Sequence, residues 1–391
     1  MDIKRVFLIV LDSVGAGEAP DAQRFGDAGA HTLLSVFNTG ILELNALYDL
    51  GIGNIEGLSF LGKNERAIGS VARMMERSNG KDTTVGHWEI AGCISKTSLP
   101  TFPYGFPDEI LEIIKSVSSR PLLCNKTYSG TKVIEDYGKE ALERGALIIY
   151  TSADSVLQIA AHTDLVSLDE LYGICEALRA ILKGDNGVGR IIARPFSTDE
   201  RGYFVRTADR RDYSIKPPKR MLPLCVKENR LESIAIGKIG DIFADVGFTQ
   251  IVRTHSNREG MQETRKYIET DFEGLCFVNL VDFDMAYGHR RDAQGYAVAL
   301  NEFDEWLEEA LPLFRDGDVL IITADHGCDP CYLKTTDHTR EYTPLVIYNP
   351  KIIAKNYGTR NSFADIGATV AELLNVDFNC DGTPISLEFT E

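Results

Sequence analysis

The sequence predicts an α/β protein whose largely parallel sheet is interrupted by an inserted domain. Three features predict it: short apolar runs that stop abruptly at Asp, Ser or Thr, helical patterns between those runs, and two proline clusters bracketing a block with its own strand and helix signals. Strands that alternate with helices build α/β sheets, and such sheets gather ligands at the carboxyl ends of their strands. A chain of 391 residues also exceeds one ordinary core and suits two domains.

The first run, residues 6–11 (VFLIVL), stops at Asp12. Apolar on both faces and too short for a buried helix, it reads as a strand covered on both sides. Prolines then cluster at Pro100, Pro103 and Pro107, and again at Pro217, Pro218 and Pro223. Proline pins φ and resists regular structure, so the two clusters mark hinges. The expected organisation is a core from 1–99 and 219–391, with an inserted domain at 100–218. Within the insert, residues 147–150 (LIIY) read as a strand running into Thr151, Ser152, Ala153 and Asp154. In the second core segment, 275–281 (LCFVNLV) precedes Asp282, Phe283 and Asp284, and 319–322 (VLII) precedes Thr323, Ala324, Asp325 and His326. Between these two, residues 296–313 place Ala297, Leu300, Phe303, Trp306, Leu307 and Leu311 on one helical stripe.

Charge narrows the function. With 41 basic and 58 acidic residues the net charge is −17, which disfavours nucleic acid and anionic membrane. No apolar run reaches the ~20 residues of a membrane span, and no export signal is apparent, so the protein is expected in the cytoplasm. One stretch runs against the overall charge: residues 186–220 carry nine basic residues, Arg190 and Arg206 among them, and four acidic ones. With no aromatic platform or helix-turn-helix beside it, a pocket for a small phosphate ester is the better functional reading. Of eight cysteines only Cys328 and Cys331 are suggestively spaced. A lone CxxC has half the ligands of a structural zinc site, and chance spacing is preferred over a redox role.

Chemistry concentrates in Asp12, Asp284, His289, Asp325, His326 and His338. Each follows an expected strand or lies in a nearby loop. Singly, an Asp there is often a cap or turn residue and a His a satisfied polar group. Jointly they exceed what one ion needs and point to two divalent cations roughly 3.5–4 Å apart. Oxygen and imidazole without thiolate suit Mn²⁺, Zn²⁺ or Fe²⁺. A second element, GKDTTVGHWE at 80–89, places a hydroxyl after a glycine on a loop leading into a helix. Metal coordination would make that hydroxyl nucleophilic; from spacing alone an ordinary helix cap is the favoured reading.

The stretches LDSVG (11–15), KDT and GHWE (81–83 and 86–89), YTSADS (150–155), DFD (282–284), GHRRD (288–292), TADHG (323–327) and DHTRE (337–341) occur in order along nearly the whole chain. On these the sequence resembles the phosphopentomutase branch of the alkaline phosphatase-like metalloenzyme superfamily. The resemblance implies an alkaline phosphatase-like core with a central mostly parallel sheet and an inserted α+β cap. It implies that Thr83 is the nucleophile that becomes phosphorylated. One Mn²⁺ would be held by Asp284, His289 and His338, the other by Asp12, Asp325, His326 and the Thr83 oxygen. Ser152, Asp154, Arg190, Arg206 and Lys238 would contact the sugar phosphate.

The implied reaction interconverts ribose 1-phosphate and ribose 5-phosphate, and the 2-deoxyribose equivalents. Glucose 1,6-bisphosphate or a pentose bisphosphate would prime the threonine. The expected partners are small sugar phosphates, with no nucleic acid and no membrane, and the expected state is a monomer. His87 is read as holding the nucleophile loop and His162 as structural. Two departures stand out: Val85 where threonine is usual, and Cys328 where asparagine is usual. A metal-dependent phosphatase or another sugar-phosphate mutase of the same superfamily would need the same ligands. The basic cap residues argue for the mutase, and Thr83 argues against the related phosphoglycerate mutases, which typically use serine.

Overall fold

The structure, a computed structural model, describes residues 2–152, 155–335 and 337–390. The chain divides into two compact units, one formed by Met1–Ser98 with Pro217–Glu391 and the other by Leu99–Lys216.

The larger unit is built on an eight-stranded sheet. Its spatial order is Gln250–Val252, Glu232–Ile236, Gly274–Leu280, Arg5–Leu11, Asp318–Thr323, Thr343–Tyr348, Ser70–Met74 and Asn356–Arg360. All neighbours run parallel except Thr343–Tyr348, which is antiparallel to both of its partners. The three central strands Arg5–Leu11, Gly274–Leu280 and Asp318–Thr323 are buried along their whole length, as near-continuous apolar runs require.

The first strand begins one residue before the apolar run, at Arg5. Its buried guanidinium pairs with Asp318 at 2.6 Å and donates to the carbonyls of Tyr267, Ile268 and Thr270. It thus satisfies the open end of the helix Asn257–Glu269. The helix expected over 296–313 spans Ala293–Ala310, started by the Asp292 carboxylate accepting from Gly295 N, and tightens to a 3₁₀ turn at Leu311–Leu313. Tyr296, Leu300, Phe303 and Leu307 bury its apolar stripe in the core.

The smaller unit is a mixed sheet ordered Leu122–Thr127, Leu147–Thr151, Val156–His162, Arg190–Thr198 and Phe204–Arg206, with Arg211–Ser214 also paired to Arg190–Thr198. Alternation along the strands gives it two faces. Ile149, Leu157 and Ile159 pack with helices Asp108–Ser118 and Leu168–Ile181; Ile148, Tyr150 and Ala160 pack with Gly130–Arg144.

Candidate active site

Strand register brings the acidic residues together. Leu11 lies opposite Leu280 and Val10 opposite Thr323. The three strands therefore end level, and the residues just beyond them share one rim of the sheet. Asp12 is fixed there by its N–H to the Leu280 carbonyl at 3.1 Å. Ser13 turns into the left-handed region at φ 76° and donates its N–H to Asp325 Oδ1 at 3.1 Å.

Two groups of three result. Asp12, Asp325 and His326 have ligand atoms within 4.8 Å of one another, and so do Asp284, His289 and His338. Asp284 and His289 are carried by a π-helical turn, Phe283–Gly288, in which His289 N–H reaches the Asp284 carbonyl. That wider turn lies where the sequence reading placed only a loop. The imidazoles of His326 and His338 stack with centroids 3.9 Å apart, joining the two groups.

The side chains themselves call for cations. Asp12, Asp284 and Asp325 are all buried; Asp12 Oδ1 and Asp284 Oδ1 accept no hydrogen bond among the described residues, and Asp325 Oδ2 faces the ring nitrogens of His87 and His326 at 3.1 Å each. An ionised oxygen in that position is costly unless a positive charge faces it. Burial and the neighbouring Asp325 push Asp12 up to about 6. Burial would raise Asp325 as well, but the imidazoles of His326 and His87 hold it well below the usual carboxylate range. Burial opposes a charged His326 ring, yet Asp325 and Asp12 lift it to about 10. The same opposition at His289 resolves at about 12, through Asp284. Without metal, protons supply the positive charge. The donor set fits divalent ions of the Mn²⁺, Zn²⁺ or Fe²⁺ kind.

Thr83 is the first residue of the helix Thr83–Ile90, and its Oγ1 lies 2.9 Å from His326 Nε2. Each neighbour in the motif has a physical task. Asp82 caps the helix by accepting from Val85 N at 3.1 Å. Lys81 pairs with Asp27 at 2.9 Å and reaches Asp337 at 3.7 Å. Gly86 lets the helix press against the Asp325 backbone, where a Cβ would collide with the carbonyl oxygen. Glu89 accepts from Arg77 N, Ser78 N, Ser362 Oγ and Phe363 N, which anchors the loop ahead of the helix. The open N-terminal amides and dipole of this helix favour an anion beside Thr83.

Several contributors carried no assigned role in the sequence reading. Arg340 is buried and donates to Gly80 O at 2.6 Å while pairing with Glu76 and Asp21, so the DHTRE segment holds the loop that leads to Thr83. Asn279 lies between Asp12 and His87. Its signal was present: one amide inside an otherwise apolar buried run.

The residues expected to hold sugar phosphate fall in both units. Lys238 belongs to the larger unit and its Nζ is 3.9 Å from Asp12 Oδ2. In the smaller unit Ser152 is half-buried just past Leu147–Thr151, and Asp154 lies outside the described residues. Arg190 Nη1 is 3.7 Å from Asp212, which Arg210 holds at 2.7 Å. Arg206 donates to Gly130 O at 3.2 Å, at the start of the helix Gly130–Arg144. Arg194 joins them: burial, then Arg210 and Arg206, bring its guanidinium down to about 10. Of the remaining candidates, His162 bonds Thr198 Oγ1 at 2.9 Å inside the smaller unit. Cys328 is buried with its thiol pushed up to about 12, whereas Cys331 is exposed.

Such a rim, with six candidate oxygen and imidazole ligands beside a helix-borne hydroxyl, suits a hydrolytic or phosphoryl-transferring metalloenzyme. The sequence profile of the metalloenzyme superfamily matches residues 4–378. A phosphopentomutase from Lachnoclostridium phytofermentans is 52% identical over 383 residues, covering 97% of each chain. Another, from Caldanaerobacter subterraneus, is 51% identical and covers 96% of this chain and 95% of its own. The solved structure of a phosphoglycerate mutase from Leishmania mexicana, determined at low cobalt concentration, is similar with a TM-score of 0.49 at 13% identity, covering 100% of this chain and 98% of that one. The chain belongs to the phosphopentomutase family of the metalloenzyme superfamily. It is an isomerase, a phosphotransferring mutase.

Proposed function

We propose that this enzyme interconverts ribose 1-phosphate and ribose 5-phosphate, and their 2-deoxy equivalents, through a phosphorylated Thr83. The observation that carries the reading is the Thr83 hydroxyl 2.9 Å from His326 Nε2, beside three buried carboxylates. Asp284, His289 and His338 would hold one Mn²⁺, and Asp12, Asp325, His326 and Thr83 the other. When bound, such a pair supplies positive charge to the phosphoryl oxygens and lowers the pKa of the threonine hydroxyl.

The protein's own groups do the rest. Thr83 accepts a phosphoryl group from a priming bisphosphate, glucose 1,6-bisphosphate or a pentose bisphosphate. In turnover its Oγ–P bond breaks as the free hydroxyl of the bound sugar phosphate forms a new one, giving a pentose bisphosphate. That intermediate reorients and returns its other phosphate to Thr83. The unit Leu99–Lys216 is read as a cap that excludes water during the turn, because water is the competing acceptor. Ser152, Asp154, Arg190 and Arg206 are assigned to the sugar phosphate from that unit, and Lys238 from the larger one. Arg190 and Arg206 supply the forked donors that phosphate recognition favours.

Among the described residues no helix is long and apolar enough to cross a membrane. A monomer working in the cytoplasm on small sugar phosphates is the setting proposed here. The test is ³¹P NMR of chelator-quenched reactions containing Mn²⁺, ribose 5-phosphate and catalytic glucose 1,6-bisphosphate. Ribose 1-phosphate should appear without stoichiometric inorganic phosphate. Inorganic phosphate alone would identify a phosphatase instead.

A further inference from the structure

We infer that Asn279 is a positioning residue: it dictates which ring nitrogen of His87 carries the hydrogen, and so ties the nucleophile helix to both carboxylates of one metal group. The inference rests on the reading of Thr83 as nucleophile.

Asn279 sits within the central strand Gly274–Leu280, paired with Val10, and is 1% exposed. An amide in that position is costly unless its hydrogen bonds are used. Its Nδ2 lies 3.1 Å from Asp12 Oδ2 and 3.3 Å from His87 Nε2. A carboxylate only accepts, so the amide must turn its NH₂ end toward Asp12. Its Oδ1 has no partner among the described residues, and nothing there pulls the amide the other way.

The consequence passes to His87. The second hydrogen of the same NH₂ group faces Nε2, which must therefore present its lone pair. The ring hydrogen is then on Nδ1. Nδ1 lies 2.8 Å from the Thr83 carbonyl and 3.1 Å from Asp325 Oδ2, both acceptors. A continuous path results: Asp12 orients Asn279, Asn279 fixes the His87 tautomer, and His87 donates to the peptide of Thr83 and to Asp325. With either ring nitrogen reversed, the Thr83 carbonyl would face a lone pair and the helix would lose its hold on the metal-binding rim. Groups that orient ligands in this way typically contribute about 10–100-fold to activity.

The experiment combines two readouts. Histidine-labelled ¹⁵N NMR of the zinc-loaded protein should show His87 protonated on Nδ1 in the native chain and lose that preference in Asn279→Leu. In single turnovers of the manganese-loaded protein with glucose 1,6-bisphosphate, Asn279→Leu should form phospho-Thr83 about 10–100-fold more slowly, with KM for the sugar phosphate unchanged. Two further variants keep the test sound if that protein folds poorly. His87→Asn retains an amide donor near Nδ1 and should keep more activity than His87→Gln, whose amide sits near Nε2. A native His87 protonated on Nε2, native-rate phosphorylation in Asn279→Leu, or the reverse order of the His87 variants would overturn the inference. Absence of phosphothreonine in the native enzyme would overturn the nucleophile reading instead, with the NMR result standing apart.

Discussion

The hydroxyl of Thr83 and Nε2 of His326 are 2.9 Å apart, while Nδ1 of the same ring is 3.1 Å from the Gly327 carbonyl. One imidazole is therefore oriented by the neighbouring backbone on one side and faces the Thr83 hydroxyl on the other. Thr83→Ala removes only the hydroxyl and methyl at a helix start where alanine is well tolerated. Phosphoenzyme and mutase turnover should vanish, with stability changed by less than about 1 kcal/mol. Phosphopeptide mass spectrometry and a denaturant melt measure the two; retained turnover would remove Thr83 from the mechanism.

Metal binding should release protons. In the metal-free protein the carboxylates raise His326 to about 10 and His289 to about 12, so both rings are charged at neutral pH. A cation must displace those protons, and its apparent affinity should climb as pH rises toward these values. The linkage has a definite sign. A histidine raised in the folded state contributes stability fully present below its unfolded pKa of about 6.5 and lost as pH passes the folded value. The metal-free protein should therefore lose stability between about pH 6.5 and 12, the His326 share of it by about pH 10. Calorimetric titration with Mn²⁺ in buffers of different ionisation enthalpy counts the released protons, and a buffer-independent heat would contradict the charge state of both rings.

The parts of this site legible in the sequence are those fixed by local rules. The runs at 6–11, 275–281 and 319–322 end in acidic residues because a doubly covered strand must shed polarity at its ends, and Asp12, Asp284 and Asp325 mark those ends. What joins them is register between strands far apart in the chain, Leu11 with Leu280 and Val10 with Thr323, which no local pattern encodes. The tasks of Arg5 and Asn279 escape local pattern for the same reason. Each is a polar residue whose partners, Asp318 and the 267–270 carbonyls for one and Asp12 for the other, become neighbours only after folding. The π-helical turn at Phe283–Gly288 likewise has no composition of its own. Arg340 and Glu89 stood inside quoted motifs, but their tasks depend on backbone groups of distant loops.

At Gly86 the helix Thr83–Ile90 presses against the Asp325 backbone. In Gly86→Ala the new methyl must displace that carbonyl, moving Thr83 relative to the ligands. A shift of about 1 Å is enough to lower kcat about 100-fold, while overpacking of this kind costs roughly 1–3 kcal/mol of stability. Steady-state kinetics with a thermal melt separate the two effects. Native kcat would show that the helix has slack the structure does not reveal.

The two cysteines at 328 and 331 should behave as strangers. Cys328 is buried beside the metal-binding rim with its thiol pushed up to about 12, mainly by burial, whereas Cys331 is exposed. Thiolate is the reactive form. A maleimide applied to the folded enzyme should label Cys331 well before Cys328, and Cys331→Ser should retain full activity. Rapid labelling of Cys328 with loss of turnover would instead make it an oxidation-sensitive element of the site.

Arg206 provides the sharpest separation between substrate and metal. It is exposed, donates to the Gly130 carbonyl, and shares a basic cluster with Arg194 and Arg210. Removing it relieves like-charge repulsion on Arg194, so Arg206→Ala should not destabilise the cap. A charge-assisted hydrogen bond to phosphate contributes about 1.5–3 kcal/mol, which corresponds to about 10–100-fold in affinity. KM for ribose 5-phosphate should therefore rise by that factor, and Mn²⁺ affinity should stay as it was, because all six candidate ligands belong to the other unit. Paired measurements of KM and of metal binding decide the matter. Equal losses in both would mean that the substitution acts by damaging the fold, and the assignment of Arg206 to the substrate phosphate would fall.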